Sequence, residues 1–205
     1  MDALFCLTGK SGTGKDTLAL RLLADPTLGL SRLVIHTTRP RRPEETDGES
    51  YYFVTPEKLE SLISKRGLVE RRDYDTKHGV WSYCTLREDE SAEGDVRRAL
   101  AVTPLPALNA YRNYYGEDRV MPLYIEVPDF ERLNRAAARE SISPNPCYAE
   151  VCRRYLADEA DFSPENLLKH NVGRSFINLD IEECLNKLSA AIRAFPAKSA
   201  PSADR

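Results

Sequence analysis

No apolar run in this chain approaches the length needed to cross a bilayer, and no basic excess equips it to coat nucleic acid. Over 205 residues the formal net charge is −3 and the mean hydropathy is −0.48. The cysteines, Cys6, Cys84, Cys147, Cys152 and Cys184, are odd in number and lack the close paired spacing of a zinc site, so they read as free thiols in a reducing compartment. There are no internal repeats, and the first strand-like run starts within a few residues of Met1. The expectation is a cytoplasmic protein with no leader, no membrane partner and no nucleic-acid partner. Local basic clusters can still hold single phosphates.

Against that background one stretch stands out. Ala3 to Thr8 is a short apolar strand, Gly9-Lys10-Ser11-Gly12-Thr13-Gly14-Lys15-Asp16-Thr17 a glycine-rich turn, and Leu18 to Leu23 an apolar helix. Glycines let successive backbone N–H groups converge on an anion, the helix N-terminus adds a favourable dipole, and Lys15 reaches the outer phosphates of a nucleoside triphosphate. This is a P-loop, with Gly9, Ser11, Gly12, Thr13, Gly14, Lys15, Asp16 and Thr17 as candidate phosphate-binding residues. Asp16 stands where a Ser or Thr hydroxyl normally serves Mg²⁺, and the hydroxyl comes one residue later at Thr17. Both are candidate metal ligands.

Downstream, a proline-rich basic loop (Thr37 to Gly48) leads into the strand-prone Tyr51 to Val54. Thr55-Pro56-Glu57 opens a helix that Gly67 ends. Leu68 to Glu70 and Tyr83 to Thr85 read as two short strands joined by the polar segment Arg71 to Gly79. Leu86 to Arg98 reads as a charged helix, Ala99 to Val102 as a strand and Ala107 to Tyr115 as a helix. Met121 to Val127 is the next strand, followed by a helix through Arg139. A break at Ser141 to Pro146 separates this helix from one bearing Arg153 and Arg154. Phe176 to Asn178 is the last strand and Ile181 to Phe195 the closing helix. Strands alternating with helices predict an α/β fold, a parallel sheet covered by helices, with a small mixed sheet inserted and a helical lid. The expected division is core over 1–35, 86–131 and 156–195, an acceptor-binding insert over 36–85, a lid over 132–155 and a disordered tail over 196–205.

Arg39, Arg42, Tyr51 and Tyr83 have the donors to surround a monophosphate dianion. The stretch from His36 to Val54, HTTRPRRPEETDGESYYFV, together with the P-loop, resembles guanylate kinase, the family that moves phosphate from ATP to GMP. The resemblance implies that Thr37, Arg39, Arg42, Tyr51 and Tyr83 serve the GMP phosphate side and that Glu70 and Thr85 read the base. It also implies that Arg135, Arg139 and Arg154 close over the phosphates with Lys15, and that Asn178 lies on the adenine side. Guanine presents adjacent N1–H and N2–H₂ donors that one carboxylate can accept together. The partners so implied are ATP with Mg²⁺ as cofactor and GMP or dGMP as acceptor, in a monomer or homodimer.

The chain departs from that family where Val102 and Pro104 replace two aspartates, where His36 replaces a serine, and where about four extra residues lie between Glu70 and Tyr83. Asp16 is a candidate replacement for the missing carboxylate. An Asp after the P-loop lysine also resembles ribose 1,5-bisphosphate phosphokinase, a sugar-phosphate kinase on the same scaffold. A third reading is a noncatalytic guanylate-kinase-like binding module.

Overall fold

The computed structural model describes residues 1–76, 79–87 and 97–196. The chain is built on β1 (Ala3–Thr8), every residue of which is buried. β7 (Arg98–Val102) and β8 (Val120–Glu126) flank it, with β2 (Leu30–Arg32) outside β7 and β9 (Ser175–Ile177) outside β8, all parallel. A parallel strand covered on both faces must be apolar on both, and successive side chains of β1 serve opposite cores. Ala3, Phe5 and Leu7 pack with α1 (Lys15–Leu23) and α7 (Ile181–Ala194), while Leu4 and Cys6 pack with α3 (Leu105–Tyr115).

The second sheet runs β4-β3-β6-β5 and is mixed. β3 (His36–Thr37) is parallel to β4 (Tyr52–Phe53) and antiparallel to β6 (Gly79–Leu86), which pairs in turn with β5 (Leu68–Thr76). α2 (Pro56–Arg66) opens with the Thr55 hydroxyl accepting from Lys58 N at 3.2 Å and closes at Gly67, whose φ of 82° suits glycine. A helical hairpin of α4 (Asp129–Ser141) and α5 (Tyr148–Asp161) packs over the loop that follows β1, and α6 (Pro164–Lys169) leads back toward β9.

Four expectations from the sequence need correction. The polar segment from Arg71 to Gly79 is not a link between two short strands: it continues both as a long hairpin, because cross-strand partners such as Arg71, Asp73 and Ser82 satisfy one another at 2.6–3.3 Å. The helix expected from Leu86 to Arg98 loses both ends to sheet, Leu86 pairing with Leu68 and Arg98 with Ala3 and Leu30, while residues 88–96 lie outside the described ones. α3 starts at Leu105, two residues early, since prolines are tolerated in a first helical turn. The helix after the 141–146 break runs on to Asp161, six residues past the expected lid boundary, and α6 was not anticipated.

The expected tail falls almost wholly on residues 197–205, which are not among those described. No described helix is long and apolar enough to cross a membrane. All the cysteines are free, with Cys6, Cys84 and Cys184 buried.

Candidate active site

β1 delivers the chain into the loop Gly9 to Gly14, and α1 begins at Lys15 without a side-chain cap, so its first N–H groups remain unspent. Two glycines here admit no side chain. A Cβ on Gly12 would lie 2.9 Å from Arg132 O and one on Gly14 2.7 Å from Asn178 Nδ2, and both residues have positive φ, +84° and +80°. Buried Asn178 donates its amide to Thr13 O at 2.8 Å, and the Thr13 hydroxyl donates to Lys10 O at 2.8 Å. Asn178 thus ties the end of β9 to the loop. Lys15 Nζ rests on Lys10 O at 3.4 Å. Burial draws its ammonium below the ordinary lysine value, while Asp16 and Asp158 oppose that shift. Asp16 and Thr17 are exposed in the first turn of α1.

The loop already holds an anion supplied by the protein itself. Ser11 N donates to Asp158 Oδ2 at 2.7 Å, and Lys10 Nζ to Glu159 Oε1 at 2.6 Å. Both carboxylates come from α5, and Arg132 of α4, only 1% exposed, joins them. Its Nη1 reaches Asp158 Oδ2 (3.1 Å) and Ser11 O (3.4 Å), its Nη2 reaches Glu159 Oε1 (2.5 Å) and Asp129 Oδ1 (3.2 Å), and its guanidinium lies 4.2 Å over the Tyr155 ring. The remaining arginines divide. Arg139 and Arg154 share a cavity of about 160 Å³ between α4 and α5 that Ser11 also lines. Glu150 holds Arg154 Nε at 2.8 Å and Arg153 Nε at 2.7 Å, and these two guanidiniums draw its carboxyl down to about 2. Arg135 turns elsewhere, to Glu131 Oε1 (2.9 Å) and Asn178 O (3.1 Å).

At the other end, the mixed sheet gathers Arg39, Tyr51 and Tyr83. Arg39 is buried; its Nε donates to Tyr83 OH at 3.2 Å, its Nη2 to Glu45 Oε1 at 2.6 Å, and its guanidinium stands 5.4 Å over the Tyr51 ring. Thr37 acts one step back: its hydroxyl donates to Ser82 O (2.9 Å) and accepts from Arg39 N (3.2 Å), fixing the backbone that carries Arg39. Arg42 is not brought into this group. It lies exposed, with its backbone N–H on Glu45 Oε2.

Glu70 is 6% exposed, and neither of its oxygens has an aligned hydrogen-bond partner among the described residues, although Arg72 Nε makes an ion-pair contact with Oε1. Burial pushes the Glu70 carboxyl above its ordinary value; Arg72 pulls it back. The Thr85 hydroxyl is 2.9 Å from Tyr111 OH. A cavity of about 310 Å³ lies beside these groups, lined by Tyr51, Arg72, Tyr74, Trp81, Tyr83 and Val102, with Ile35 completing its wall. Asp16 and Val102 line a second, smaller cavity together with Tyr51, so the Asp16 carboxylate and the end of β7 share one space.

Reading the sequence placed Arg132 among the arginines of the lid helix without a partner, and left out Asp158 and Glu159 around the loop, Glu45 beside Arg39, Arg72 in the larger cavity and Tyr111 beside Thr85. Of those left out, Arg72 had a visible signal, since it lies two residues from Glu70 in a strand and therefore on the same face.

Comparison with known proteins agrees across the chain. The guanylate kinase family model matches residues 1–88, the span holding the P-loop and the Arg39 segment. A guanylate kinase of Porphyromonas gingivalis is 30% identical over 200 residues, covering 97% of this chain and 100% of that protein. One from a Nostoc species is 35% identical over 196 residues, covering 92% and 88%. In fold, the chain is similar to the crystal structure of guanylate kinase from Anaplasma phagocytophilum, with a TM-score of 0.64 at 22% identity over 96% of this chain and 87% of that one.

Proposed function

The chain belongs to the guanylate kinase family, and on that premise we propose that it transfers the γ-phosphoryl group of ATP to the phosphate of GMP or dGMP, giving ADP and the diphosphate. One observation carries the acceptor assignment: a buried Glu70 carboxylate with unspent lone pairs beside a cavity walled by Tyr51 and Tyr83. In that setting the N1–H and N2–H₂ of guanine restore two hydrogen bonds, whereas adenine leaves the carboxylate unsatisfied. Buried groups left unpaired by the wrong substrate are what give such sites their discrimination.

The phosphate loop suits a triphosphate, because a carboxylate already sits on its Ser11 N–H. Asp16 and Thr17 offer two hard oxygen donors next to it, enough for Mg²⁺, which commonly takes one or two side-chain oxygens and completes its shell with phosphate and water. When bound, Mg²⁺ neutralises charge on the triphosphate oxygens. The chain's own residues do the rest. Lys15 holds the outer phosphates, Arg39 with Tyr51 and Tyr83 positions the acceptor phosphate, and Arg139 and Arg154 face the charge that spreads over the transferring group. An acceptor phosphate oxygen is the nucleophile. Because that phosphate is ionised near neutral pH, no strong general base is needed.

The test is ADP release from Mg-ATP with GMP, dGMP, AMP, UMP, CMP and ribose 1,5-bisphosphate offered separately, beside Glu70→Gln. The expected result is turnover with the guanine acceptors alone and a drop of about 10²-fold in kcat/KM for GMP in Glu70→Gln. Turnover only with the sugar bisphosphate, or silence despite ATP binding, would overturn the reading.

A further inference from the structure

The hairpin of β5 and β6 carries more of the acceptor cavity than Glu70 and Thr85. Its register pairs Glu70 with Thr85, Arg72 with Tyr83 and Tyr74 with Trp81. Residues two apart in a strand share a face, so these six side chains stand together on one side of the hairpin. Arg72 lies at the middle of that face. It lines the cavity, contacts Glu70 through Nε, and has its guanidinium 5.9 Å from the Tyr83 ring centroid. Among the described residues both Glu70 oxygens and Arg72 Nε are buried without an aligned hydrogen-bond partner, their ion-pair contact apart, and no hydrogen bond holds the guanidinium's outer nitrogens.

An ion pair with unspent donors on one partner and unspent lone pairs on the other is complementary to one purine edge. Along guanine, N2–H₂ and N1–H are donors, and O6 and N7, next in line, are acceptors. We propose that Arg72 is a specificity-determining residue, its guanidinium donating to guanine O6 and N7 while Glu70 accepts from N1–H and N2–H₂. Arginine is well shaped for the O6 and N7 pair, and adenine places an N6–H₂ donor where the guanidinium needs an acceptor. The pairing also accounts for a site that lacks carboxylates at Val102 and Pro104: the hairpin, lengthened between Glu70 and Tyr83, supplies the second guanine contact from the opposite wall. Thr85, already 2.9 Å from Tyr111 OH, is left to orient that phenol.

This assignment rests on guanine being the acceptor base. It is tested by kcat/KM with saturating Mg-ATP for GMP and for 7-deaza-GMP, which lacks only the N7 acceptor, in the wild type, Arg72→Gln and Arg72→Lys, with thermal melts confirming folding. The wild type is expected to prefer GMP by about tenfold, and Arg72→Gln to bring that ratio close to one, with Arg72→Lys in between. A structural role alone would lower both acceptors equally and leave the ratio intact, which would overturn the assignment. If either variant fails to fold, the wild-type ratio decides: equal turnover of the two acceptors rules out an N7 contact. Failure of the wild type on GMP itself, with turnover of a non-guanine acceptor, would instead sink the guanylate kinase reading from which this one starts.

Discussion

The two ends of this molecule treat charge in opposite ways. At the proposed acceptor end, Arg39 is fixed by Glu45 and Tyr83 but keeps donors to spare, and Arg72, ion-paired with the buried Glu70, lines a cavity. At the proposed donor end part of the loop is already taken: Asp158 sits on Ser11 N, Glu159 on Lys10, and Arg132 binds both carboxylates to the loop. One site is preassembled and waiting; the other is closed by the protein's own anions. On the proposed function, a triphosphate in the loop competes with Asp158 for the Ser11 N–H.

The sharpest way to break the comparison is at Lys15. Lys15→Ala removes the loop ammonium proposed to hold the outer phosphates, and turnover should fall by about 10³-fold while GMP still protects the protein against melting. Loss of GMP protection as well would mean that the two ends are not separate sites.

Next in size is Arg132→Met, which keeps the side-chain volume and deletes the charge. It strips Asp158 and Glu159 of their shared partner, and because both are partly exposed they rehydrate in part. A cost of about 3 kcal/mol is expected, read as a Tm lower by roughly 6–12 °C. An unchanged Tm would show that the contact holds nothing together.

Smallest is Asp158→Ala. With the competing carboxylate gone and Arg132 still present, ATP should bind roughly three- to tenfold more tightly by calorimetry, with GMP affinity unaltered. Weaker ATP binding would make Asp158 a support of the loop and not its placeholder.

How much of this could be read in the residue order depends on how local the physics is. β1, the glycine loop and α1 were legible because a strand, a positive-φ turn and a helix start each announce themselves within a few residues. The Arg39 segment was legible as a motif. The Arg132 contact was not, because it needs α4 and α5 to meet, and Asp158 and Glu159 look from the sequence like an ordinary solvated helix face. The length of the β5 and β6 hairpin was hidden for another reason. The face that lines the cavity is made of Arg72, Tyr74, Trp81 and Tyr83, so the usual alternation of aliphatic and polar residues is missing. α6 was readable and overlooked: Ser163-Pro164-Glu165 opens it as Thr55-Pro56-Glu57 opens α2, with the Ser163 hydroxyl accepting from Asn166 N at 3.4 Å.

The clamp between Asn178 and Thr13 sets an order in time. The loop leaves the ribosome well before its partners do: Thr13 O receives its amide only from the end of β9, and β1 finds its neighbours β7 and β8 about a hundred residues later. A nascent chain thus carries its glycine loop for some time without the partners that shape it. Nucleotide binding is thus deferred until the sheet closes, and a chain broken off before Asn178 is left with the words of the loop but not its grip.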